Sequence, residues 1–155
     1  MTIDELLARE SIRRTMAAYT MAGDRLKVED FIAVFTEDAI FESEGVAAQD
    51  LFRYEGRAAI RDWLAGWSSR AAARPPSLKR PTFIRHHLST CQIELTGSAA
   101  AKARTYWVAY TDIGPDHGGY YVDSFRKVDD RWLIAHRKVR LDWRLPESLF
   151  ASGPP

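Results

Sequence analysis

Few residues in this chain are able to move protons in a directed way. His86 and His87 stand side by side in the stretch Pro81–Leu95, PTFIRHHLSTCQIEL, while Asp24 follows Gly23 and Tyr19 precedes both. A histidine becomes a general base when a carboxylate holds its second ring nitrogen, because that contact fixes the tautomer and raises basicity. Asp24 is the carboxylate best placed for this, at a seam between helix and sheet. Each residue also has an ordinary explanation. A histidine on an apolar face is often a satisfied core residue, an aspartate after a helix is often a cap or turn, and a tyrosine there is often core with its hydroxyl at the rim.

Other chemistries find less support. The histidines, including His117 and His136, show no HxxxH spacing and no facial pair with a nearby carboxylate, so no metal site is expected. No Gly-rich phosphate loop is present, the serines show no elbow motif, and the single cysteine, Cys91, has no activating signature. General acid–base work remains.

The stretch holding the two histidines reads as one long strand whose alternation changes phase. Ile84 and Leu88 are apolar at even positions with His86 between them, and Cys91, Ile93 and Leu95 are apolar at odd positions. A period of two cannot change face without an extra residue, so a bulge is expected near Ser89 or Thr90. His86 then faces inward and His87 outward.

The elements that must position these residues follow in order. Thr2 or Asp4 caps a first helix, with Ile3, Leu6, Leu7, Ile12, Met16 and Tyr19 on its stripe and Gly23 at its end. A second helix is expected over Val28–Phe35, a turn at Thr36–Asp38, and a strand over Ala39–Glu42. Gly45–Gln49 reads as a loop and Leu51–Tyr54 as a strand, and Gly56 precedes a third helix burying Ile60, Trp63, Leu64 and Trp67. Ser68–Arg80, broken by Pro75-Pro76, reads as an exposed loop. Strands over Ala101–Asp112, Tyr120–Val128 and Arg131–Trp143 follow, joined by turns at Gly114–Gly119 and Asp129–Asp130. Helices first and a run of antiparallel strands later make an α+β domain.

At 155 residues the chain suits one domain, taken as residues 1–155, with a sizeable core. The formal charge of +1 leaves no footprint for nucleic acid or an acidic membrane, and no apolar run is long enough to span a bilayer. One cysteine and no visible signal segment make the cytoplasm the expected location.

Several segments together resemble the SnoaL-like branch of the nuclear-transport-factor-2-like superfamily. They are YTMAGD, FIAVFTEDAIFESEG, YEGRAAIRDWL, RHHLSTCQIEL and YYVDSFRKVDDRWLIAHRKVRLDW, covering roughly Leu6 to Trp143. That branch is similar to scytalone dehydratase, bile-acid dehydratase and hexachlorocyclohexane dehydrochlorinase. The resemblance implies a cone: a strongly bent antiparallel sheet around a pocket closed by three helices from the N-terminal half. It implies a catalytic His86 partnered by Asp24, Tyr19 contacting substrate, and Phe41 and Ile84 lining the pocket. Thr90 stands where family members often carry asparagine, and Ser68–Arg80 is longer than usual.

Three functions are compatible with these expectations. The first is a lyase or isomerase needing no cofactor, in which His86 takes a proton from carbon and Tyr19 or Tyr110 donates a hydrogen bond to substrate oxygen. Its substrate would be small, apolar, and cyclic or aromatic. The second is the small structural subunit of a ring-hydroxylating dioxygenase, which KVRLDWRLPESLF resembles. The third is a carrier of a small ligand. Apolar residues on both faces of the last strands (Trp132, Leu133, Ile134, Val139, Leu141 and Trp143) point to a homo-oligomer, trimer or dimer.

Overall fold

The computed structural model describes residues 1–45, 50–73 and 79–150. Helices α1 (Ile3–Gly23) and α2 (Val28–Ile32) come first, then strands β1 (Phe35–Glu44) and β2 (Arg53–Glu55). Helices α3 (Arg57–Ala65) and α4 (Trp67–Ala72) follow, and strands β3 (Arg85–Leu95), β4 (Ala100–Thr111), β5 (Gly114–Val128) and β6 (Arg131–Arg144) complete the fold. The strands form one six-stranded sheet in the order β2-β1-β6-β5-β4-β3. The α+β class holds, with a curled sheet. Within it β1 and β6 run parallel, whereas all other pairs are antiparallel as expected.

The first helix begins on a capping box. Thr2 Oγ1 accepts from the Glu5 N–H at 3.2 Å and Glu5 Oε2 accepts from the Thr2 N–H at 2.8 Å. Leu26, with φ at 54°, turns the chain after Gly23 and Asp24. Ile12, Met16, Tyr19, Thr20 and Ala22 are buried, but Ile3 and Leu7 are 75% and 63% exposed. The expected stripe therefore serves the core only from its second half, and the first turns project into solvent.

Bulges curl the sheet, since each adds a residue to one strand and bends it. In β3, Leu88 pairs with Trp107 and Cys91 with Thr105, so Ser89 and Thr90 together oppose Tyr106. That is the expected bulge, and it sets His86 half-buried and His87 exposed. In β5, Ala109 of β4 pairs with His117 and Tyr110 with Pro115, leaving Asp116 as the extra residue.

Other boundaries differ from expectation. Phe35 opens β1 rather than closing α2, and the Thr36–Asp38 turn is the outlying part of β1 where its register with β6 slips. Ser68–Ala72 is helical rather than loop, because α4 starts one residue after Gly66 interrupts α3. Pro75-Pro76 and residues 46–49 of the Gly45–Gln49 loop lie outside the described residues. Gly114–Gly119 is strand, and the turn is Asp112-Ile113.

The core lies between α1–α3 and the concave face of the sheet, and it is dominated by aromatic rings. Phe31, Phe35, Phe41 and Tyr19 pack with centroids 4.7 to 6.3 Å apart. Burying a side chain of this size contributes about 1.5–3 kcal/mol each. Among the described residues no helix is long and apolar enough to cross a membrane.

Candidate active site

Asp24, the residue just beyond α1, meets His86 of β3 across the concave face. Asp24 Oδ1 lies 2.6 Å from His86 Nδ1, and Asp24 Oδ2 accepts from the His86 backbone N–H at 3.0 Å. A carboxylate only accepts, so Nδ1 carries a proton, and in the neutral ring the lone pair is then on Nε2. The Asp24 side chain is 7% exposed and that of His86 24%, so the dyad is covered on its aspartate side and open at the imidazole.

The other residues read from sequence divide into two groups. Tyr19 and Phe41 sit in the aromatic core, and Ile84, just before β3, is half-buried against it. Tyr110 does not join them. It points away from the concave face, 36% exposed, with its ring 4.7 Å from that of His87. On β4 the inward positions are Ala101, Ala103, Thr105, Trp107, Ala109 and Thr111, so the even-numbered tyrosines Tyr106 and Tyr110 face out.

Beneath Tyr19 lies an ion pair with no exposure at all. Arg137 Nε and Nη2 donate to Asp123 Oδ1 and Oδ2 at 2.8 and 2.7 Å. The guanidinium is held between the rings of Tyr19 and Tyr121, at 4.0 and 4.2 Å from their centroids. Burial pushes the Tyr19 hydroxyl up to about 12, although the Arg137 charge opposes the rise. Tyr19 therefore keeps its proton under ordinary conditions.

A second histidine was missed in the sequence. His117 of β5 is 8% exposed, its Nδ1 lies 2.6 Å from Asp116 Oδ1, and its ring stands edge-on to that of His86 with centroids 6.2 Å apart. Trp107 packs against both imidazoles, 5.5 Å from His86 and 5.6 Å from His117. Phe150, in the segment after β6, covers His117 at 5.4 Å and stacks on Trp67 at 6.1 Å. The available signal was the pair Gly118-Gly119, which marks close backbone approach here. A Cβ at Gly118 would meet the Trp143 ring at 2.8 Å, and one at Gly119 the Arg140 carbonyl oxygen at 1.9 Å.

Two surface grooves lie elsewhere. One, of about 430 Å³, runs between α1, α2 and Arg131, and the other, of about 370 Å³, between α1 and the turn before Trp132. Neither is lined by a histidine, and the groups that can do chemistry converge on the concave face instead. Among the described residues no three metal-binding side chains cluster.

The fold and the placement of these groups define a SnoaL-like domain, and the chain belongs to that family, whose model matches residues 4–138. The family falls within the nuclear-transport-factor-2-like superfamily. No curated protein matches the sequence significantly. Among solved structures, the chain is similar to a scytalone-dehydratase-like protein of Novosphingobium aromaticivorans. That likeness has 24% identity, covers 99% of this chain and 100% of the other, and has a TM-score of 0.71. It is similar to the type 3 hexachlorocyclohexane dehydrochlorinase of Novosphingobium barchaimii at 14% identity, covering 99% of each chain with a TM-score of 0.72. It is also similar to a protein assigned as the beta subunit of an aromatic-ring-hydroxylating dioxygenase from N. aromaticivorans. That match has 18% identity over 94% and 96% of the chains and a TM-score of 0.70. Likeness at these identities speaks for the fold alone.

Proposed function

We propose that this protein is a cofactor-independent lyase or isomerase of dehydratase type, acting on a small apolar cyclic or aromatic compound. His86 removes a proton from carbon beside an activating group, and Asp24 holds its tautomer and balances the imidazolium that forms. Tyr19, protonated throughout the working range, donates a hydrogen bond to the oxygen that gains charge. Phe41 and Ile84 belong to the apolar wall. Tyr110, on the opposite face of its strand, has no part in this reading.

One observation carries it. Asp24 fixes both the ring and the backbone of His86, at 2.6 and 3.0 Å, while the imidazole stays partly open. A second reading, a non-catalytic subunit resembling the dioxygenase beta subunit, draws on the similar fold. It gives the covered carboxylate and its oriented imidazole nothing to do.

Proton exchange tests the choice. The protein is incubated in heavy water with a panel of cyclic and aryl ketones, and incorporation of deuterium beside the carbonyl is followed by NMR. The wild type should accelerate exchange, and His86→Ala and Asp24→Asn should abolish the acceleration. Exchange that survives His86→Ala removes this base from the mechanism. No exchange, together with co-purification with a Rieske-type large subunit, favours the second reading.

We also propose that the outer face of β4–β6 joins copies of this chain into a trimer or dimer. Tyr106, Val122 and Trp143 expose 49%, 44% and 37% of their surface there. Trp132, Leu133, Ile134 and Leu141 are buried within the monomer and do not contribute.

A further inference from the structure

The dyad uses one side of the site. Across from it, His117 and Trp107 have no role in the base reaction, yet both are built into place. Asp116 Oδ1 accepts from His117 Nδ1 at 2.6 Å and from Ser148 Oγ at 2.5 Å. Asp116 Oδ2 accepts from Thr111 Oγ1 at 3.1 Å and from the Leu149 N–H at 2.8 Å. A fully buried carboxyl that receives four donors is ionised, since a protonated one could not accept from all of them. His117 therefore carries its proton on Nδ1, and its Nε2 is a lone pair.

Trp107 presents the opposite polarity. The residue is 4% exposed, and its Nε1 is buried with no hydrogen-bond partner among the described residues. A buried N–H without an acceptor is destabilising and is seldom kept where nothing fills it. This one lies on the ring that packs against both imidazoles.

We propose that Trp107 and His117 form an oxygen-binding subsite facing His86, which takes the carbonyl and hydroxyl oxygens of a hydroxy-carbonyl compound. The indole N–H joins the Tyr19 hydroxyl in donating to the carbonyl oxygen, and His117 Nε2 accepts from the substrate hydroxyl. The inference rests on the reading of His86 as the base and narrows its substrate. Both imidazoles offer lone pairs, so a ligand reaching both must bring a hydrogen to each: a C–H to His86 and an O–H to His117. Burial pushes the His117 pKa down and outweighs the opposing pull of Asp116, which keeps the lone pair available. A halide in place of the hydroxyl has no proton to give and would leave that lone pair unanswered. Sites built around a substrate hydroxyl discriminate strongly against analogues lacking it.

Two probes differing only in that hydroxyl test the subsite: the aldol of benzaldehyde with acetone, and benzylacetone. Ring nitrogens of the unmutated protein, labelled with nitrogen-15 in histidine, are observed by NMR during titration. The aldol should shift the His86 and His117 signals together, whereas benzylacetone should shift His86 and leave His117 in place. Equal response of His117 to both probes, or none to either while His86 responds, overturns the subsite. For turnover, the aldol is compared with its β-chloro analogue; both release benzylideneacetone, the hydroxyl leaving as water with the proton that His86 took from carbon and the chlorine leaving as chloride. In His117→Phe the ratio of kcat/KM for aldol over chloride should fall on the order of 100-fold. An unchanged ratio overturns the proposal even if His86→Ala abolishes both reactions and so upholds the base. Reactions that survive in His86→Ala point instead to a failure of the base reading itself.

Discussion

Asp24 grips His86 at two points, its side chain through Nδ1 and its main chain through N–H, so neither imidazole rotation nor strand slippage is free. Two contacts from one carboxylate tie the end of α1 to the middle of β3. Removing either partner therefore removes orientation and charge together. His86→Ala and Asp24→Asn should each lower turnover by about 100-fold or more, and the double variant should lose little more than either single one. Steady-state rates of all three variants on one substrate measure this; fully additive losses would mean that the residues act independently.

His87→Ala should change turnover by less than about threefold, because His87 lies on the outer face against Tyr110. A loss as large as that of His86→Ala would mean that the strand presents the other histidine to substrate.

The Arg137–Asp123 pair is fully buried, so breaking it differs from replacing it. Asp123→Ala leaves a guanidinium without its counter-charge and should cost about 3–5 kcal/mol in urea unfolding. The double change Arg137→Met with Asp123→Leu should cost less than Asp123→Ala alone. A double variant weaker than the single would show that the pair contributes more than it costs to desolvate.

Gly119→Ala should destabilise by at least about 3 kcal/mol. The added Cβ would fall 1.9 Å from the Arg140 carbonyl oxygen, a main-chain atom that cannot rotate away. Unfolding midpoints within about 0.5 kcal/mol of wild type would show that β5 and β6 separate easily there.

Stability should decline in acid in two stages. Burial holds the His117 pKa below its ordinary 6.5. As pH falls through 6.5 the unfolded chain takes up this proton before the folded one, and stability falls until the folded pKa is passed. For Asp116, burial works to raise the pKa, but the donors Ser148, His117 and Leu149 outweigh it and hold the carboxyl below 3.8. Its contribution is complete above 3.8 and is lost as pH drops through the lower folded value. Thermal melts from pH 7 to 3 should show the first stage flattened in His117→Gln. An identical slope in wild type and variant would assign that stage to other groups.

In light scattering at micromolar concentration the protein should run larger than its 17.6 kDa chain, and Val122→Glu should shift it toward monomer. A monomeric wild type would leave Tyr106, Val122 and Trp143 as ordinary surface.

The inward histidine was legible because a change of phase in a period-2 pattern has one cheap solution, an extra residue. Asp24 was legible from the helix that ends beside it and from the family pattern. His117 was hidden by its neighbours, since Gly-Pro-Asp-His-Gly-Gly has the composition of a turn. In the fold the two glycines answer the nearness of Trp143 and Arg140, a distant constraint that local propensity does not contain. Tyr110 was misplaced for a related reason. The concave side of β4 takes small residues such as Ala101, Ala103 and Ala109, which inverts the usual reading of aromatic as inside.

The one extra residue in β3, where Ser89 and Thr90 stand against the single Tyr106, decides which of two chemically identical neighbours meets Asp24. The frame of Cys91, Ile93 and Leu95 is anchored on the core side, so adding one residue upstream of the bulge while the bulge is kept rotates everything before it by half a turn. A chain lacking Ser89 would pair without a bulge and keep His86 opposite Ala109, whereas one residue inserted between Leu88 and Ser89, with the bulge kept, would set His87 opposite Ala109 and send His86 out to solvent. The selection of the reactive imidazole is thus written as a count of residues, and a single-residue insertion just before the bulge should change it. Such a variant would depend on His87 for any proton transfer it retains, and mutating His86 in that background should then make no difference.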